Sequence, residues 1–209
     1  MTFQLVVSLA ARRIIGFTAH CAVPGADIMI AACRAAAKWP DGIALGVELS
    51  AAQWQSPTIG LRIFTALNET GLSPARLELE IAEPELANAP EALEAVIRAR
   101  QSGILVALTG CGQRAETAAP IDYFDSIKFA GSVVRRLGHH AESDVIADSM
   151  IRIADHYGLI AVADGISTDK QLEILKAKGC VVGQGSLFGK PVRASEIAAL
   201  LRMPSIVAA

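Results

Sequence analysis

What this sequence lacks narrows it first. It has no apolar run of the roughly 20 residues that a membrane-spanning helix needs, although 52% of its residues are hydrophobic and mean hydropathy is +0.40. The apolar residues are spread over many short segments and abundant alanine. That richness excludes a disordered chain, which would be poor in apolar residues. An excess of one charge is also missing: 19 Lys and Arg stand against 21 Asp and Glu, for a formal charge of -2 and a pI near 6.1. A nucleic-acid binder needs a basic footprint, so that class is not expected. There is no CxxC pair. Cys21, Cys33, Cys111 and Cys180 are widely spaced and read as reduced, mostly buried thiols. The opening Met1-Thr2-Phe3 sets no basic segment ahead of an apolar stretch, so a secretory leader is not expected. The expectation is a cytoplasmic protein with no membrane contact. A chain of 209 residues is long enough for one large domain or two small ones, with a core that needs no disulfide or metal.

What is present is an alternation of short apolar runs and longer helical patterns. Residues 3–9 and 13–18 are joined by Ala10-Ala11-Arg12, too short for a crossover helix, so they predict an antiparallel hairpin. Six further strands are predicted over 43–48, 77–82, 103–108, 126–129, 159–163 and 180–183. Helical spacing is found over 28–39, 58–68, 91–100, 144–156, 171–178 and 195–201, with Gly71, Gly158 and Gly179 as stops. Near-continuously apolar strands separated by helices predict a parallel sheet covered by helices. Eight such strands favour closure into an α/β barrel over an open sheet.

In such a barrel, function collects at the C-terminal strand ends. Those ends carry Thr18, Glu48, Glu80, Thr109-Gly110, Lys128, Asp164 and Gln184. Glu48, Glu80 and Asp164 are the metal candidates. If they converge, with Lys128 and Gln184 beside them, they make an oxygen site of the magnesium type; the alternative is a polar mouth that merely faces water. Glu78 and Glu80 share one face of their strand while Leu79 takes the other. Two carboxylates inside a barrel demand a cation or water, and this is the one local signal that asks for a site. Gly110-Cys111-Gly112 looks like a fragment of a phosphate loop, but no GxGxxG or Walker pattern follows. The adjacent His139 and His140 point in different directions and read as a solvated turn. Cys111 has no histidine at a partner strand end and reads as a buried thiol, not a nucleophile.

Several stretches in order carry a resemblance: 45–53 (LGVELSAAQ), 69–83 (ETGLSPARLELEIAE), 125–128 (DSIK), 161–168 (AVADGIST) and 183–191 (GQGSLFGKP). Over nearly the whole chain the sequence resembles the EAL domain of bacterial cyclic di-GMP phosphodiesterases. The resemblance implies a modified TIM (β/α)8 barrel with one antiparallel strand, filling residues 1–209 as a single domain shortened between residues 21 and 28. Active members hydrolyse cyclic di-GMP with two magnesium or manganese ions held by carboxylates. Position by position, the signature Glu-Ala-Leu aligns with Thr18-Ala19-His20, so a metal-binding Glu becomes Thr. The phosphate-gripping Arg becomes Ala22, and the metal-binding Asn becomes Glu48. Glu80, Lys128 and Gln184 are retained. The two bridging aspartates become Thr109 and Gly110, an Asp after the lysine becomes Ala130, a metal Glu is shortened to Asp164, and the loop-anchoring Glu becomes Ser167.

The resemblance therefore implies a degenerate EAL domain with no catalytic residues, only a vestigial pocket of Glu80, Lys128, Asp164 and Gln184, and no cofactor. Lys128 is expected to pair with Glu80 or Asp164 and so compete with a metal. The expected function is a protein-interaction or regulatory module in bacterial signalling, in motility or biofilm programmes. The alternatives are a non-hydrolysing cyclic di-GMP receptor and a weak phosphodiesterase. A protein partner is expected where the shortened connection uncovers apolar side chains, at Ala22, Val23, Ile28 and Met29 on one side and Cys111 on the other. Alternatively the loop packs down over the gap.

Overall fold

The computed structural model describes residues 1–21, 28–113 and 119–203. Strand β1 (Thr2–Ser8) turns at Arg12, which takes a left-handed φ of 49°, into β2 (Arg13–His20). The two pair antiparallel, with a register shift between Val6 and Val7. From there the chain alternates: α1 (Met29–Ala36), β3 (Ala44–Glu48), α2 (Ala51–Trp54), α3 (Ile59–Thr70), β4 (Leu77–Ala82), α4 (Glu83–Asn88), α5 (Ala92–Gln101) and β5 (Leu105–Cys111). Then follow β6 (Ser126–Phe129), α6 (Gly131–Arg135), α7 (Ala141–Tyr157), β7 (Ile160–Ala163), α8 (Asp169–Ala177), β8 (Val182–Gln184) and α9 (Ala194–Leu200). Strands β2 to β8 run parallel in chain order, and β1 closes the barrel by pairing antiparallel with both β2 and β8. The expected barrel with one antiparallel strand is what forms.

The strand chemistry places the site. On β4, Leu77, Leu79 and Ile81 are fully buried under the helices, while the alternation sends Glu78 and Glu80 into the barrel. On β6, Ile127 and Phe129 face the helices, and Ser126 and Lys128 face inward, all four buried. Helices end where glycine permits it: α3 at Gly71 (φ 69°) and α7 at Gly158 (φ 68°). A capping box of Thr168 and Gln171 starts α8, and the Gln171 carboxamide oxygen also accepts from the Ser167 backbone N–H at 2.8 Å.

The elements differ from the sequence expectation mostly at their edges. Strand β5 begins two residues later than expected and runs to Cys111. The reason is that Gly103 (φ 81°) and Ile104 belong to the turn leaving α5, whose Ala99 carbonyl accepts from the Ile104 N–H. Strand β8 shifts likewise, because the Cys180 N–H closes back on the Leu175 carbonyl. Helices α2, α4 and α6 were not expected; none is long enough to show a helical repeat.

At the opposite end from the site, Arg76 ties three segments together. Its guanidinium donates to the carbonyls of Ile43 (3.1 Å) and Ala36 (2.9 Å), and lies 3.7 Å from Asp41. With the side chain only 14% exposed, Arg76→Ala leaves the carbonyls of Ile43, Ala36 and Trp39 short of a donor. The expected loss is about 2 kcal/mol, read as a lower urea midpoint with an unchanged slope.

Candidate functional site

Strands β2, β4, β6, β7 and β8 bring one continuous polar chain into the barrel. The Lys128 Nζ lies 2.7 Å from Glu78 Oε1 and 2.6 Å from Glu80 Oε1. Below it, the Ser126 hydroxyl donates to the other Glu78 oxygen at 3.1 Å. Above it, Thr18 Oγ1 lies 3.3 Å from both Glu80 Oε1 and Gln184 Oε1, so its single proton is shared between them. The Gln184 amide then donates to Asp164 Oδ1 at 3.0 Å. The backbone at this level is pinned as well: the Glu80 carbonyl accepts from the Leu49 N–H (2.9 Å) and the Trp54 indole (3.4 Å).

Electrostatically the cluster is one ammonium between two carboxylates. Burial pushes the Glu80 pKa above its usual value; Lys128 opposes that rise, and Glu78 and Glu48 add to it. Burial alone would lower Lys128, but Glu78 and Glu80 outweigh it and hold the ammonium more firmly than in water. Lys128 therefore stays charged, and the surplus negative charge is felt at Glu80. Glu48 sits beside Glu80 in the β3–β4 register but is exposed. Among the described residues, no three His, Cys, Asp or Glu side chains converge closely enough to hold a metal ion.

The structure thus joins Glu80, Lys128, Gln184 and Asp164, four of the five site residues singled out in the sequence, into one network, with Glu48 at its edge. The paired carboxylates Glu78 and Glu80 do take up a cation, and it is Lys128. Asp164 is bonded to Gln184 and not to the lysine. Thr18 was expected at a strand end but not as a bridge between Glu80 and Gln184, and Ser126 and Gly46 were not foreseen as parts of this arrangement. A Cβ on Gly46 would run into Glu80 Oε1 and stand 3.0 Å from Thr18 Oγ1. Only the cross-strand register reveals that contact.

A barrel of this topology with its polar cluster at the strand ends invites comparison with known proteins. The sequence profile of the EAL domain matches residues 27–191. The chain belongs to the EAL domain family. Protein y4lL of Sinorhizobium fredii is 33% identical over 188 residues, which cover 88% of this chain and 23% of that protein. The cyclic di-GMP phosphodiesterase RocR of Pseudomonas aeruginosa is 28% identical over 166 residues, 78% of this chain and 42% of RocR. This EAL domain accordingly spans less than half the length of either relative. Among solved structures, the EAL domain of Mycobacterium smegmatis DcpA superposes with a TM-score of 0.89 at 23% identity, covering 99% of this chain and 96% of that one. The PaMucR phosphodiesterase in complex with c-di-GMP gives 0.85 at 21%, covering 94% and 92%. These superpositions establish the fold.

Other parts of the EAL domain answer the remaining expectations. Cys111 is buried, its thiol 3.4 Å from the Leu108 carbonyl, and burial together with the Glu83 charge raises its pKa. That is an inert thiol. His139 and His140 are both exposed in the turn before α7. Two members of the expected apolar patch at the mouth are corrected: Met29 is 2% exposed and Cys111 1%, because both pack into the core, while Ile28 is half-buried against it. Ala22 and Val23, and the shortened connection itself, lie outside the described residues. Large exposed apolar side chains stand instead on the helical exterior, with Leu61 and Phe64 of α3 each 65% exposed. No described helix is long and apolar enough to cross a membrane.

Proposed function

We propose that this EAL domain keeps the barrel as a scaffold and acts as a non-hydrolysing regulatory module, binding another protein in bacterial cyclic di-GMP signalling. One observation carries the reading: Thr18, standing where the resemblance implies a metal-binding Glu, is bonded to Glu80 and Gln184 at the strand ends. A pair of divalent cations needs carboxylate oxygens free to turn toward them. Here Glu80 Oε1 is engaged by Lys128 and Thr18, and Asp164 Oδ1 by Gln184. The donor set does not fit the two-metal centre that the family's phosphodiesterase chemistry requires. The replacements at Thr18, Ala22, Thr109, Gly110, Ala130 and Ser167 support the same reading. It takes residues 1–209 as one cytoplasmic EAL-like domain, shortened between residues 21 and 28.

Relatives named as cyclic di-GMP phosphodiesterases make that dinucleotide the first compound to test. Incubation with cyclic di-GMP and magnesium or manganese is expected to yield no linear product above the buffer blank by chromatography. Turnover that disappears in Glu80→Gln overturns the proposal and restores a phosphodiesterase. Calorimetric titration with cyclic di-GMP, with and without magnesium, separates the two inactive alternatives. No heat in either condition leaves the protein-binding module. Metal-independent binding identifies a receptor, a reading that Lys128, Glu80 and Gln184 at retained positions would then explain.

A further inference from the structure

Strands β1 and β2 are joined by a tight turn, with no helix between them. Helix α1 packs against α3 on one flank. On its other flank it faces α9 across an open groove of about 750 Å³. Ala31 and Ala35 of α1 and Ala194 and Ala198 of α9 line its two walls. On each helix they are four residues apart and so share a face. Such small side chains let another helix approach closely.

The rim supplies the chemistry. Arg34, Lys38 and Arg202 line the groove and are exposed, and among the described residues no Asp or Glu lines it. Nearby carboxylates do little to offset these charges. Glu69 reaches Arg34 only at 3.7 Å, with both side chains more than half exposed. Glu196 turns to the Arg193 N–H at the start of its own helix, and Asp41 faces Arg76. From this charge pattern we propose that the groove between α1 and α9 seats an amphipathic helix of a partner protein, with small apolar residues on its buried face and carboxylates along its edges. This inference rests on the protein-binding role proposed above and names the chemistry of the partner.

The test uses two fluorescein-labelled helical peptides with the same Leu/Ala face, one flanked by Glu and one by Lys, titrated by anisotropy against the intact chain. The Glu peptide is expected to bind at least about tenfold tighter at low salt, a preference that shrinks at high ionic strength. Lys38→Glu with Arg202→Glu removes the preference. Ala198→Trp, at an exposed position, fills the groove and weakens binding about tenfold while leaving the thermal melt unchanged. Equal binding of the two peptides, no binding of either, or full binding by Ala198→Trp overturns the proposal. A dimer in sedimentation that is lost in Ala198→Trp also overturns it, giving the groove to a second copy. Hydrolysis of cyclic di-GMP would defeat the regulatory reading independently of the peptide result. Failure of the peptides without hydrolysis defeats the groove alone.

Discussion

Lys128→Met is expected to destabilise the domain by about 3–5 kcal/mol, the usual cost of removing one partner from a buried ion pair. The substitution keeps the volume and the unbranched shape, so the loss is electrostatic. Glu78 and Glu80 remain inside the barrel with no cation, and only the Ser126 and Thr18 hydroxyls to satisfy them. Circular dichroism in urea measures the effect. A loss under 1 kcal/mol would mean that the lysine contributes little to the cluster. Adding Glu78→Gln to Lys128→Met is expected to recover part of the loss, because one of the stranded charges is gone.

The same cluster fixes the pH response. The Lys128 pKa is raised in the folded state above the ordinary value of 10.5. The folded chain therefore holds that proton more tightly than the unfolded one. Its contribution is fully present below about pH 10.5 and is lost as pH rises through the folded value. Glu80 is also raised, from its ordinary value of 4.5, so its ionisation disfavours the fold as pH climbs above that value. Removing Lys128 takes away the group that opposes this rise. Lys128→Met should therefore lose stability from pH 5 to pH 8, and more steeply than the parent chain. A variant with a flat profile between those values would contradict the assignment of the lysine as the cluster's counter-charge.

How much of this was legible beforehand depends on the range of the interaction. The bounds of β4 and β6 follow from local alternation, and so does the placing of Glu78 and Glu80 on one face. From there the need for a cation follows, and Lys128 was one of few candidates. Its choice of Glu80 over Asp164 was not legible, because it depends on which strands face each other across the barrel and on Gln184 reaching Asp164 first. The end of β5 was misplaced for a related reason: Thr109-Gly110 reads as loop in isolation, yet the backbone continues through it to pair Cys111 with Phe129. Met29 was expected at the surface because the missing segment before it suggested an uncovered flank. In the fold its helix turns that face inward, and Met29→Glu would strike the core, not an interface.

Gly46→Val gives the sharpest test of the site's construction. A β-branched residue would ordinarily suit a strand position. At residue 46, however, the first carbon of any side chain meets Glu80 Oε1 and comes within 3.0 Å of Thr18 Oγ1. Those two atoms belong to the buried network and cannot simply swing into solvent. The glycine is thus the space into which Glu80 leans to reach Lys128. Gly46→Val is expected to cost about 3 kcal/mol, combining overpacking with a disturbed ion pair. Gly60→Ala, on the exposed side of α3 with nothing within 4 Å of the new methyl, should instead stabilise by up to about 1 kcal/mol. The decisive measurement is a double-mutant cycle with Glu80→Ala. Once the Glu80 side chain is shortened, the valine has room and Lys128 still has Glu78, so the double variant should lose clearly less than the sum of the single losses. Additive losses would show that Gly46 is required for the strand itself and not for the carboxylate it accommodates.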